Sequence, residues 1–261
     1  MSSKITTSRN MPARGIIVML DALGISSYSM DECQELIDKL NQLKSKFKEK
    51  EAGAFGILSF NFILFGDTVI IYVPLALDFE SSLSILALAG CQISEIFEWG
   101  FKNKILFRGA ISIGDYLADD NFILGPAMFD ANNWCEVADW FGIIFTPKSR
   151  LWIESMMERL GKSYKGTLDR QRDFEPIFVQ YDVPLSKPIN NLKTKNFLTY
   201  NWTNSLFFSD LKRNETSVQK FLDLVYEIPM SRDGEPKITH GVKYFKDMTS
   251  GIYLNKMINP E

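Results

Sequence analysis

The order of apolar runs in this chain predicts an α+β fold, a mainly antiparallel sheet with helices packed on it. Three observations carry that expectation. Short β-branched runs alternate with longer stretches of helical period. A Gly66-Asp67 pair joins two such runs in the manner of a hairpin turn. A hydrophobic content of 46%, with 20 Phe among 261 residues, is ample for a packed core.

Residues 15–20 (GIIVML) form a short run fitting a buried strand. Ser29 before Met30-Asp31-Glu32 reads as an N-cap with acid in the first turn. The helix it opens, about 30–50, places Leu36, Leu40, Leu43 and Phe47 at helical spacing and ends in a lysine-rich turn. The runs 54–65 and 68–74 are expected to form a hairpin, with Gly66 supplying turn freedom. A second helix over 79–101 carries Leu83, Leu86, Ile93, Ile96, Phe97 and Phe101 on one broad face. Strands follow at 105–114 and 121–125, then a third helix from Pro126 to about Phe141. A strand at 142–146, a fourth helix after Pro147, a polar loop over 161–172 and a strand at 176–183 complete the clear pattern. Beyond 184 the signal weakens: 197–202 suggests a strand, 217–228 an amphipathic helix, and the end reads as loop-rich. The opening β-α-β-β-α-β series suits a ferredoxin-like sheet. We therefore expect one domain over 12–185, with 186–261 an extension packed on the same domain.

A net charge of −3 and a pI near 5.4 give no general reason to bind nucleic acid or anionic membrane. The 3 cysteines form no C-x-x-C pair, which argues for a reducing compartment and against disulfides or structural zinc. No signal peptide is evident, and no apolar run reaches the ~18 residues of a membrane span, so a soluble cytoplasmic protein is expected. The single histidine, His240, lies in a polar stretch without the partners of a catalytic triad or zinc site. Catalysis, if present, must run on carboxylates, Arg or Lys and a hard metal.

Two aspartates stand where nearly continuous apolar segments stop: Asp21 after GIIVML, and Asp67 after FNFILFG. A carboxylate at the mouth of a buried strand requires water, a cation or hydrogen bonds to compensate it. Either residue alone reads as an ordinary turn aspartate. In this element order both fall on one sheet edge, beside the backbone N–H groups of the small-residue turn after Asp21. Two carboxylates and such an anion cradle describe a metal–triphosphate site.

The segments MLDALGIS (19–26), FGDTVII (65–71), FRGAISIGD (107–115) and ILGPAMFDA (123–131) carry a family resemblance. Together with YNW (200–202), they resemble motifs of the class III nucleotidyl cyclases, and more closely the bacterial pyrimidine cyclases of Pycsar anti-phage defence. The resemblance covers roughly residues 14–185. It implies that the fold is the class III cyclase catalytic domain and that Asp21 and Asp67 hold two Mg²⁺ or Mn²⁺ ions. It also implies that the turn Ala22, Leu23, Gly24, Ile25 and Ser26 binds triphosphate. The reaction implied is attack of the ribose 3′-OH on the α-phosphorus, with loss of pyrophosphate. A homodimer with sites at the subunit interface, and a separate effector that senses the product, follow from the same likeness.

The chain departs from the purine cyclases in its base-reading and transition-state positions. Ile63 and Phe122 fall where adenine is read by Lys and Asp, and Phe129 and Asn133 fall at the Asn and Arg positions. Ile and Phe cannot make purine-specific hydrogen bonds, so UTP or CTP is the expected substrate, with cUMP favoured over cCMP. Asn61 or Ser59 offers a polar base reader, although Asn61 equally fits a solvent-facing strand residue. With the family arginine missing, Arg108 is the candidate α-phosphate ligand. An ion pair with Glu136 is the alternative. Glu136 and Asp130 otherwise read as surface or dimer-contact residues. The competing function is a catalytically silent cyclase-fold module that binds nucleotide or regulates.

Overall fold

The computed structural model describes residues 13–25, 28–51, 60–119, 121–159, 178–203, 215–228 and 234–249. Seven strands line up in one sheet in the order β2-β3-β1-β4-β6-β8-β7, and a short β5 pairs with β4 outside that path. In chain order the elements begin with β1 (Ala13–Ala22), α1 (Met30–Glu51), β2 (Asn61–Phe65), β3 (Thr68–Pro74), α2 (Phe79–Lys102) and β4 (Phe107–Ala118). There follow β5 (Ile123–Leu124), α3 (Pro126–Cys135), β6 (Gly142–Phe145), α4 (Pro147–Arg159), β7 (Phe178–Ile189) and β8 (Leu192–Tyr200). Two further helices are α5 (Glu215–Tyr226) and α6 (Glu235–Thr249). The pairings are antiparallel except for β4 with β6, so the sheet is mixed.

Strand β1 is central and works on two faces. Ile16, Val18, Leu20 and Ala22 enter the main core, where Leu36, Leu40, Leu43 and Phe47 of α1 and Leu86, Ile93, Ile96 and Phe97 of α2 close over the sheet. Ile17 lies on the opposite face in a smaller cluster with Ile70, Tyr116, Ile123, Ala127 and Ala131, against which Met19 and Ile63 pack. Two-sided burial explains why β1 reads as an unbroken apolar run. Asp21 follows Ile17 and Met19 at the strand's period of two, and so belongs to the face that carries α3.

The helix starts follow their capping signals. Ser29 and Glu32 form a reciprocal capping box, with Ser29 N donating to Glu32 Oε2 at 2.7 Å and Glu32 N to Ser29 Oγ at 3.3 Å. Asp78 caps α2 by accepting from Ser81 N at 2.8 Å. Between β2 and β3, Gly66 sits at φ +60° in the first central position of a two-residue loop closed by the Phe65–Thr68 pair.

Four expectations are corrected. Helix α3 stops at Cys135 and does not run to Phe141; beyond it the chain turns, Ala138 bridges to Leu185, and Trp140 is fully buried. Asp130 is buried and does not face solvent: it accepts from Ser112 Oγ at 3.1 Å and from Thr146 Oγ1, tying α3 to β4 and to the end of β6. The end of the chain is not loop-rich throughout, because α6 buries Ile238, Val242 and Phe245. His240 lies on that helix, with Nδ1 2.7 Å from the carbonyl oxygen of Asp139. Strand β7 is longer than the run expected at 176–183 and continues to Ile189. The expected loop over 161–172 lies outside the described residues.

Aromatic rings fill the centre of the main core. Trp202 stacks on Phe97 at 5.6 Å between ring centroids, and Phe221 stacks on Phe245 at 3.9 Å. Among the described residues, no helix is long and apolar enough to cross a membrane.

Candidate functional site

Antiparallel register builds the site. Asp21 pairs with Thr68 of β3 on one side and with Arg108 of β4 on the other. The Ala22 N–H donates to the carbonyl oxygen of Asp67 at 3.3 Å, which brings the hairpin turn against the end of β1. The two sequence-predicted aspartates are therefore neighbours. Asp67 is close enough for its charge to act on the Asp21 carboxyl.

Arg108 is the third member. Its Nε and Nη2 both donate to Oδ2 of Asp21 at 3.1 Å, and Nη2 lies 3.7 Å from Oε1 of Glu136. The Arg108 and Asp21 side chains are largely buried, whereas Glu136 is 76% exposed. The anticipated Glu136 contact is thus present as the longer of two, and the pair with Asp21 is the shorter. Both Arg108 bonds fall on one oxygen, so among the described residues nothing donates to Oδ1 of Asp21. The Asp67 carboxylate likewise has no ion pair or hydrogen-bond donor among the described residues.

Burial pushes the Asp21 carboxyl above its ordinary range. The Arg108 guanidinium counters that shift, and the charges of Asp67 and Glu136 add to it. The net direction is upward: an arginine two hydrogen bonds away does not offset desolvation and a second carboxylate. Beneath the pair, Cys135 donates its S–H toward the Met19 carbonyl oxygen at 3.7 Å. Burial, with Asp21 nearby, pushes its thiol up to about 12. Sequence reasoning missed Cys135 and the Asp21–Arg108 pair. No local signal marks the latter, which depends on the β1–β4 register that sets Arg108 across from Asp21.

The expected phosphate turn is only partly available. The Ala22 and Leu23 N–H groups donate to the Asp67 and Leu106 carbonyl oxygens, and both side chains are buried. Neither N–H is offered to an anion in this state. Gly24 turns the chain at φ +85°, Ile25 packs against the core, and Ser26 lies outside the described residues.

The base-reading candidates separate into two groups. Ile63 packs on the smaller cluster, and Asn61 is half-buried opposite Tyr72. Phe122 and Phe129 are 69% and 58% exposed and do not enclose a base pocket with Ile63. Their chain neighbours Ile123 and Met128 do reach the Ile63 cluster. An open depression lined by Asp38, Asn41, Gln42, Ser45 and Lys46 on α1 contains none of these residues.

As a donor set, Asp21 and Asp67 fit a hard divalent cation in kind, since both offer oxygen and both retain an uncommitted carboxylate oxygen among the described residues. Among the described residues no group of three or more His, Cys, Asp or Glu side chains is arranged to hold a metal.

No protein-family model matches the chain, and no curated protein sequence does either. The structure is similar to that of a bacterial light-regulated adenylyl cyclase, with a TM-score of 0.41 and 11% identity over 84% of this chain and 99% of that one. The likeness is weak and partial.

Proposed function

We propose that the chain is a metal-dependent nucleotidyl cyclase that converts UTP or CTP to the 3′,5′-cyclic monophosphate and pyrophosphate, with cUMP the favoured product. One observation carries this reading: Asp21 at the end of β1 and Asp67 in the adjoining hairpin turn lie close enough for the Asp67 charge to add to the burial that raises the Asp21 carboxyl. Such a pair favours a cation. Mg²⁺ is commonly bound by one or two carboxylates with substrate phosphates completing its shell, so two protein ligands suffice.

Asp21 and Asp67 would hold Mg²⁺ or Mn²⁺, two ions by resemblance to the class III cyclases. When bound, the metal would neutralise triphosphate charge and lower the pKa of the ribose 3′-OH. The chain's own part is to bind and orient. The turn from Gly24 to Ser26 would face the phosphates, and Arg108 would present its guanidinium to an α-phosphate oxygen. The 3′-oxygen, its proton passing to solvent, would then bond to the α-phosphorus as the bond to pyrophosphate breaks. By resemblance, Ile63, Phe122 and Phe129 stand where purine cyclases carry polar residues, and their lack of polar groups disfavours purines. Asn61 is the proposed polar reader.

Exposed Phe65, Phe122, Leu124 and Phe129 on the elements flanking this face support a homodimer closed over it. The Pycsar-like motifs support a second-messenger role in anti-phage defence, with a separate effector. A silent nucleotide-binding module is the second reading, favoured by the Arg108 pair that already compensates Asp21.

Incubating the purified protein with each of the four NTPs and Mn²⁺, and identifying products by mass, tests the proposal. A cyclic pyrimidine product that disappears in Asp67→Asn is the expected result. Nucleotide binding without any product would favour the silent module, and cAMP alone would refute the base assignment.

A further inference from the structure

Arg108 stands between two carboxylates of different character. Its Nη2 donates to Asp21 Oδ2 at 3.1 Å and lies 3.7 Å from Glu136 Oε1, so one nitrogen is hydrogen-bonded to the first and within ion-pair reach of the second. Asp21 is fixed in the central strand β1, and its side chain is 18% exposed. Glu136 sits at the C-cap of α3, 76% exposed, so it can approach the guanidinium with little desolvation. A guanidinium stays charged, so whatever displaces it from Asp21 must leave it near another anion.

We propose that Arg108 and a divalent cation compete for Asp21, and that Glu136 is the second station that receives the guanidinium when the cation takes the carboxylate. The inference rests on the metal-binding reading above and adds a way for the site to exchange its counter-ion. Without metal, Arg108 compensates the Asp21 charge. With metal, the side chain pivots on its Nη2 contact toward Glu136, and the N–H groups released from Asp21 become available to a phosphate oxygen. Arg108 is a positioning residue in the first state and a phosphate ligand only in the second.

The test is Mn²⁺ binding by the full chain near neutral pH, followed by electron paramagnetic resonance of free Mn²⁺. Arg108→Ala removes the competitor and is expected to tighten binding about tenfold. Glu136→Gln removes the second station and is expected to weaken binding roughly threefold. The decisive measurement is the double variant: placed on Arg108→Ala, Glu136→Gln should have no effect, because its influence passes through Arg108. Equal weakening in both backgrounds would mean that Glu136 acts only by its own field, and would overturn the proposal. So would weaker binding by Arg108→Ala. Should that variant not fold, Arg108→Lys replaces it. A single ammonium lacks the fork that spans both carboxylates, so tighter Mn²⁺ binding and a smaller Glu136→Gln effect are expected, and no change on either count overturns the idea. Absence of Mn²⁺ binding by the parent, or binding indifferent to Asp67→Asn, removes the metal reading itself and this inference with it. Binding that needs Asp67 but shows additive variants removes the inference alone.

Discussion

Asp21 and Arg108 face each other directly across β1 and β4, and both guanidinium bonds land on the same carboxylate oxygen. Asp67 presses its charge on the same group from the hairpin turn. One side chain thus feels a cation and an anion from opposite strands, and the balance between them makes it a sensitive point for experiment.

The first prediction concerns pH. With its carboxyl held above the ordinary 3.8, Asp21 binds a proton more tightly in the folded chain than in the unfolded one. The stability it contributes is therefore fully present below 3.8 and declines as pH rises through the folded-state value. Asp21→Asn lacks that decline. In metal-free buffer, urea unfolding should show the variant gaining on the parent as pH is raised across this window, and a constant difference would contradict the assignment.

Divalent metal should reverse that trend. A metal takes the deprotonated carboxylate, so binding releases a proton and strengthens with pH. Mn²⁺ at about 100 times its dissociation constant is expected to stabilise the fold by about 2.7 kcal/mol. The thermal shift should shrink on the acid side of the Asp21 titration and vanish with a chelator. In Asp67→Asn it should fall at every pH.

Gly109 tests the register beneath the site. A Cβ there would lie 2.1 Å from the Met19 carbonyl oxygen, a backbone atom of the neighbouring strand. Gly109→Ala must move β1 relative to β4, which we expect to destabilise the fold by about 1–3 kcal/mol. Because Arg108 is the adjacent residue, Mn²⁺ affinity should change as well. Gly90→Ala is the control. Its Cβ would fall 2.0 Å from the buried Tyr200 ring, and the loss should appear in stability with Mn²⁺ affinity retained in the folded fraction.

The thiols should react in a fixed order. With its thiol pushed up to about 12, Cys135 stays protonated and unreactive in the folded chain at pH values well below that. Cys91 is exposed. Alkylation near pH 8 followed by peptide mass mapping should label Cys91 in the folded chain and Cys135 only after unfolding, and early labelling of Cys135 would contradict its burial.

Much of this architecture was legible because the chemistry was local. The apolar period of β1, the Gly66-Asp67 turn and the Ser29 cap each announce their element within a few residues. Partners that depend on register or packing were not legible. Glu136 is close to Arg108 along the helix that follows, yet the shorter contact is to Asp21, 87 positions away across a ladder. Asp130 reads as an exposed helical carboxylate, and only the docking of α3 brings the Ser112 and Thr146 hydroxyls to it. Gly241 lies in the end of the chain that reads as loop-rich. It marks close packing, since a Cβ there would meet the Phe141 ring at 2.4 Å within an otherwise regular α6. The bonds of the Ala22 and Leu23 N–H groups were not legible for a similar reason, because their acceptors, the Asp67 and Leu106 carbonyl oxygens, come from distant segments.

The alternation along β1 sets a phase for the whole site. Leu20 and Ala22 belong to the core and Asp21 to the opposite face, so a frame shift of one residue anywhere between Arg14 and Leu20 would exchange the two roles. The carboxylate would then point into hydrocarbon and become a defect. Diversity in this strand should therefore come through substitutions, and insertions or deletions should collect in the connections on either side of it.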